Sequence, residues 1–280
     1  MSSGAVSALG RSTRWELTDS ADVAGDVGHP QGLTRWGDGW LASTVHPGPG
    51  RGEILEIAGD GEVVRCVDVT DGERIHPGGL CADAAGCWIA VAEYRPRSTT
   101  TVLRVDRELA VVESFVFDDH LGAVSALDDG TLFAVSWASR RWYRLDTTGR
   151  ILDQRTTPTR WVDLQDVGAV DAHHVVATGV GSIGAPNGSV QFGGLVVIDV
   201  DALVVAHETP VSAWMPSGRV ATYNGAHIDM TDDDLAAVML HCLVDDTTGA
   251  IGTWSVQPHR NPTATHSRVG GDRAEPGRPG

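Results

Sequence analysis

The chain has 280 residues, 41% of them hydrophobic, and a net charge of −16 at pH 7. It is long enough to bury a substantial core, and too acidic for nucleic acid or an anionic membrane to be natural partners. No run of eighteen apolar residues suggests a membrane span. The start "MSSGAVSALGRSTRW" does not read as a secretory signal, and the four cysteines form no CxxC pair. The expectation is a cytoplasmic protein with reduced thiols.

After an extension over residues 1–13, the first expected element is a strand in "RWELTDSADV" (14–23). A repeating series follows. "HPQGL" (29–33) opens an inner strand, succeeded by "WLASTVH", "EILEIAGD" and "EVVRCVDV". "HPGGL" (76–80) opens the same series, with "WIAVAEY", "VLRVD" and "LAVVESFVF". "HLGAV" (120–124) leads to "LFAVSWA", "WYRLD" and "ILDQRTT", and "DVGAV" (166–170) to "VVATGVG", "LVVIDVD" and "LVVAHETPV". "NGAHI" (224–228) is followed by "AAVMLHC" and "GTWSV" but by no fourth strand. The interval is about 45 residues, wider before the last unit. Short β-branched runs between Gly, Pro and Asp-Gly turns read as all-β, and four antiparallel strands per repeat make a propeller blade.

The expected fold is therefore a β-propeller over residues 14–258 with five four-stranded blades. The N-terminal strand completes the fifth blade and removes two sheet edges. Six blades is the alternative, if the stretch before Asn224 hides a degenerate unit. The polar, Pro/Gly-rich residues 259–280 read as a disordered tail.

The heads of the five stretches are His29, His76, His120, Asp166 and Asn224, and His227 replaces Asn224 if the last alignment slips. Equivalent positions in five blades ring one axis. Three imidazoles with a carboxylate suit zinc, manganese or iron. A repeated histidine is also a known structural post in propellers, so two readings of the ring stay open. The loops after the second strands share its face. They carry Glu93, an acid/base candidate, and Arg95, Trp137 and Arg141, candidates for contacting substrate.

"HPQGL", "HPGGL…VAEYRP" and "DHLGAV…SWASRRWY" resemble a poorly characterised set of bacterial and fungal lactonase-like propellers. The wider group contains gluconolactonase, regucalcin and strictosidine synthase. The resemblance implies a propeller with an axial site and names no reaction. That group holds calcium with Glu, Asn and Asp, whereas the ring here is rich in histidine. The functional expectation is a metal-dependent enzyme acting by hydrolysis or elimination on a small oxygenated molecule. Two alternatives are an iron-dependent oxidative enzyme and a propeller that binds a ligand or protein without catalysis.

Overall fold

The computed structural model describes residues 4–157, 161–186, 188–230, 237–244 and 249–257, and it is all-β apart from short helical turns. The expected tail at 259–280 and the "TDDD" turn at 231–234 lie outside the described residues.

Strand β1 (Arg14–Asp22) follows a one-turn helix, α1 (Gly4–Ser7). Four antiparallel meanders come next, each in chain order. They are β2 (His29–Trp36) to β5 (Val63–Asp68), with β3 (Gly39–His46) and β4 (Arg51–Ile57) between, then β6 (Arg74–Ala82), β7 (Cys87–Glu93), β8 (Thr100–Val105) and β9 (Val111–Phe117). The third contains β10 (Leu121–Ala126), β11 (Leu132–Ser136), β12 (Arg141–Leu145) and β13 (Ile151–Thr156), and the fourth β14 (Asp163–Ala169), β15 (His174–Ala185), β16 (Gly188–Asp199) and β17 (Val204–Val211). One parallel bridge, Ala123 to Gly79, joins the second and third meanders. The last sheet has β18 (Ala226–Met230), β19 (Val238–Val244) and β20 (Ala250–Gln257), and β1 adds to it as the fourth strand. The β1–β20 register runs from Arg14↔Gln257 to Asp22↔Ala250.

The apolar pattern explains the layering. Every residue of β3 and β11 is buried, whereas every residue of β13 is exposed. Continuous apolar runs suit strands covered on both faces. Five hydrophobic clusters fill the spaces between successive sheets. Ile54 and Ile89 meet in one such cluster, Trp88 and Tyr143 in the next, and Phe133 and Ile198 in a third. Leu33 and Leu243 share a cluster between the first and last sheets. In the cluster between the fourth and fifth sheets, Ala5, Val6 and Leu9 are buried with Leu195 and Trp254. His207 Nε2–H fixes that segment by donating to the Leu9 carbonyl at 2.8 Å.

The aspartates at strand ends close the turns. Asp60, Asp83, Asp106, Asp129, Asp146 and Asp199 each accept the backbone N–H two residues on, at 2.7–3.2 Å. Such Asx turns substitute a side-chain oxygen for a backbone acceptor. Part of the acidity of the chain is therefore turn chemistry.

The inner strands meet in the middle: β2 touches β6, β6 touches β10, β10 touches β14, β14 touches β18, and β18 touches β2. Their approach is so close that side chains do not fit. A Cβ on Gly32 would lie 2.9 Å from Gly79 Cα, and one on Gly225 2.3 Å from Gly32 Cα. A Cβ on Gly79 would lie 2.6 Å from Asp166 Oδ1 and 2.8 Å from the Gln165 carbonyl. Gly79→Ala should therefore cost about 3 kcal/mol or more, as overpacking against backbone does. Gly122→Ala, whose new Cβ would meet nothing nearer than 3.8 Å, should stay within about 1 kcal/mol of wild type. Urea midpoints read both, and equal midpoints for the two variants would contradict this packing.

Candidate functional site

The hydrogen-bond register corrects the sequence alignment of the repeats. In β2, His29 pairs with Val45 and Pro30 with Thr44, and a bulge precedes Gly32↔Ser43. In β14, Asp163 pairs with Val180 and Leu164 with Gly179, and a bulge precedes Asp166↔Thr178. The fourth counterpart of "HPQGL" is thus "DLQDV" (163–167), and its head is Asp163. Asp166 falls where the other units carry Gly32, Gly79 or Ala123. In the fifth unit Gly225 lies against Gly32, so "TYNGA" (222–226) is the counterpart and Thr222 its head. Asn224 then aligns with Gln31 and Gln165.

Three of the expected ligands do come together. His29, His76 and His120 line one cavity of about 190 Å³, with Gln31, Tyr94, Trp137, Asp163 and Gln165. His76 Nε2 lies 3.1 Å from Gln31 Oε1. His120 Nδ1–H donates to the Arg95 carbonyl at 2.7 Å, and Ser98 Oγ lies 3.1 Å from the same nitrogen. The remaining ring nitrogens, His76 Nδ1 and His120 Nε2, face each other at 3.4 Å. The Arg95 carbonyl takes the His120 ring proton, and the His76 proton goes to Gln31 Oε1 or to His120 Nε2 according to its tautomer. Burial lowers the pKa of His76 to about 3, with the neighbouring His120 and His29 adding to it, and burial lowers that of His120 to about 4. Both imidazoles are therefore neutral at pH 7.

Aromatic rings hold the pair in place. Trp137 stacks edge-on to His120 with ring centroids 4.5 Å apart, and Tyr94 to His76 at 4.7 Å. Trp137 opens a 3-10 turn in which Ala138 (φ 55°) and Ser139 (φ 51°) are both left-handed. Two successive non-glycine residues there cost about 1–3 kcal/mol each, and such strain gathers at functional sites. The strained turn has a product: Ser139 Oγ donates to Asp163 Oδ1 at 3.1 Å and accepts the Leu164 N–H at 2.7 Å. Burial raises the Asp163 pKa, with Ser139 and Gln165 pulling the other way.

The other candidates lie elsewhere. Asp166 is fully buried at the axis. Its Oδ2 accepts the Leu33 N–H at 2.8 Å, and its Oδ1 accepts Leu80 N–H at 3.2 Å and Val167 N–H at 2.9 Å. The Ala226 N–H is a fourth donor. These amides come from equivalent positions of four sheets, so Asp166 is a hub and not part of the histidine cavity. Asn224 is buried, and its Nδ2 has no partner among the described residues. His227 is at the opposite ends of the inner strands, in a cavity of about 510 Å³ that Asp83, Asp128 and Asp171 also line. Its Nε2 lies 3.1 Å from Asp229 Oδ1, and the other Asp229 oxygen takes Arg35 at 2.6 Å and His241 at 3.0 Å. Against the cost of burial, those three partners hold the Asp229 carboxyl far below the usual range.

Glu93 is turned away from the cavity. It is paired with Arg95 and accepts the Thr99 N–H at 3.3 Å, and the Arg95 hydrogen bond lowers its pKa. The Arg95 side chain is thereby committed, although its carbonyl orients His120. Arg141 is exposed and hydrogen-bonds Tyr143. Of the three residues expected to contact substrate, Trp137 alone lines the cavity. Sequence reading missed Asp163. The shared Gln of "DLQDV" and "HPQGL" was the available signal. No group of three or more His, Cys, Asp or Glu among the described residues is arranged to hold a metal ion.

A family model described as "Family of unknown function (DUF6454)" matches residues 4–255. No curated protein matches the chain. Among solved structures, a tail fibre of Staphylococcus aureus phage P68 is similar at 8% identity and TM-score 0.53, over 88% of this chain and 53% of that one. The chain thus spans about half of the tail-fibre chain, and the likeness is one of fold alone. A streptogramin B lyase structure is similar at 10% identity and TM-score 0.46, over 90% of each chain. A luciferin-regenerating enzyme is similar at 10% identity and TM-score 0.46, over 84% of this chain and 78% of that one. Likenesses this distant carry no activity across.

Proposed function

The chain belongs to DUF6454, a family of unknown function, and we propose from the geometry that it is a metal-dependent enzyme on a five-bladed propeller. The five meanders are the blades, and β1 closes the ring through β20. The inner strands in mutual contact and the five inter-sheet clusters, one of them between first and last sheets, support this. The active site is the cavity at the heads of the inner strands. The reaction is hydrolysis or elimination on a small oxygenated molecule.

One observation carries the reading: His76 Nδ1 and His120 Nε2 face each other at 3.4 Å, with the Gln31 and Arg95 oxygens placed to take the two ring protons when an ion is bound. Two nitrogens bound at about 2.0–2.1 Å to one tetrahedral ion stand about 3.3 Å apart. A neutral, desolvated, pre-oriented imidazole pair is what a zinc, manganese or iron ion requires. His29 lines the same cavity and would turn in to add to the shell. When bound, the ion would polarise an oxygen of the substrate. Asp163, with its raised pKa, would take a proton from the reacting molecule and return it. Ser139 holds that carboxyl in position, and Trp137 and Tyr94 exclude water from one side of the pair. The absence of any membrane-crossing helix among the described residues and four free cysteines fit a reducing, cytoplasmic setting.

The test is elemental analysis of protein purified without a histidine tag, followed by calorimetric titration of metal-stripped protein with zinc, manganese and ferrous ions. One ion per chain is expected. His76→Ala and His120→Ala should each weaken binding at least about 100-fold, and the double variant should be little worse, because ligands of one ion act together. A wild type that takes up none of the three ions, with additive stability losses in the two variants, returns these histidines to packing.

A further inference from the structure

A cavity of about 190 Å³ is smaller than the roughly 300–1,000 Å³ of ordinary ligand pockets. It admits the reacting end of a molecule and little more. The space beside it shows where the remainder would lie. Ala138 and Asp163 also border a second cavity of about 540 Å³, which reaches Trp161 and Val162. Trp161 and Val162 in turn border a third, of about 320 Å³, walled by Ile183, Phe192 and Pro210. The shared lining residues set the three cavities side by side as one discontinuous trench, from the histidines outward over the fourth sheet, with Arg140, Thr156, Thr157 and Ser182 in its polar middle.

The far end of this trench is apolar. Trp161 and Phe192 meet edge to face, with centroids 6.3 Å apart. The β15–β16 hairpin outgrows its neighbours: β14 pairs with β15 only as far as Val180, and β17 pairs with β16 only from Gly193. Beyond those limits it carries Ile183 and Val190, 57% and 58% exposed. Apolar side chains on an outgrown hairpin contribute nothing to the sheet's core, and here they extend the apolar wall of the third cavity into solvent. Two polar groups lie in the wall, Glu208 and the Thr209 hydroxyl, the latter buried and without a partner among the described residues.

We propose that the substrate is amphiphilic, with its oxygenated head among His76, His120 and Asp163 and an apolar tail seated along Trp161, Phe192 and Ile183. This rests on the histidine cavity being the reaction site. It adds a substrate class to that reading: a neutral oxygenated compound with an alkyl or aryl tail, and not a small hydrophilic metabolite.

Straight-chain primary alcohols from butanol to decanol are the probes, bound to the whole protein and followed by calorimetry. Affinity should rise about fourfold per methylene until the groove is full. Ile183→Asp and Trp161→Ala, both at exposed positions, should cut the increment below about twofold and leave metal uptake unchanged. His120→Ala should weaken every alcohol by one common factor and leave the increment intact. A flat series in wild type overturns the tail groove, while metal uptake judges the histidine site separately. A rising series unaffected by Ile183→Asp and Trp161→Ala places the tail elsewhere and overturns the inference. A rising series indifferent to His120→Ala makes the groove unrelated to the site. A concentration-dependent dimer that decanol does not dissociate, and Ile183→Asp does, would assign the groove to a second copy of the chain.

Discussion

Asp166→Ala should destabilise the protein by about 4 kcal/mol or more, and Asp166→Asn by nearly as much. The carboxylate accepts backbone N–H groups from Leu33, Leu80 and Val167, with Ala226 as a fourth. Its removal leaves several buried amides without an acceptor, at about 1–3 kcal/mol each. Asparagine keeps the shape but turns an –NH2 against an N–H donor, because both carboxylate oxygens already accept. Burial pushes the Asp166 carboxyl well above the usual carboxylate range against the pull of the four amides, so those hydrogen bonds are what offsets the cost of placing a carboxyl there. Against a total stability of about 5–15 kcal/mol, such a loss is a large share. Asp163→Asn makes the contrast. Burial already favours the neutral form of Asp163, so the amide should be tolerated within about 1 kcal/mol. Urea denaturation reads all three variants, and an Asp166→Asn protein as stable as wild type would remove the hub.

The same residue shows what the sequence could and could not reveal. The strand order was legible, because the inner, second and outer strands differ in apolar pattern and Asp marks the turns between them. The heads His29, His76 and His120 were legible as a set, since their stretches are near copies, and the structure gathers them in one cavity. The fourth head was not. "DVGAV" (166–170) looks more like "HLGAV" than "DLQDV" does, yet the bulge in β14 falls between Leu164 and Asp166. The bulge is a feature of the backbone and leaves no mark in the letters, so matching on letters slipped by three positions and put Asp166 where the register puts Asp163. Asp166 accounts for one of the glycines at its level, since a Cβ on Gly79 would lie 2.6 Å from its Oδ1, whereas Gly32 and Gly225 leave room for neighbouring backbone. Glu93 stands apart from the cavity for another reason. Its strand ends near the cavity, but Arg95, two residues on, claims the carboxylate, and no spacing rule announces a local ion pair.

Removal of residues 1–22 should abolish cooperative folding, and removal of residues 1–10 alone should weaken it measurably. The longer deletion takes away β1 and with it the register from Arg14↔Gln257 to Asp22↔Ala250. The edge of β20 would then be bare beside Trp254 and Val256, both buried in the wild type, and unpaired edges with apolar neighbours aggregate. The shorter deletion keeps β1 and removes Ala5, Val6 and Leu9 from the cluster between the fourth and fifth sheets. Fully burying a valine or leucine is worth about 1.5–3 kcal/mol, so about 3–5 kcal/mol is at stake, together with the His207 bond to the Leu9 carbonyl. Thermal unfolding followed by circular dichroism distinguishes the cases. The 1–10 deletion should melt in a single transition at a lower temperature, and the 1–22 deletion should show none. If the 1–22 deletion melts cooperatively near the wild-type temperature, β1 is an appendage to the last sheet and not the strand that completes it.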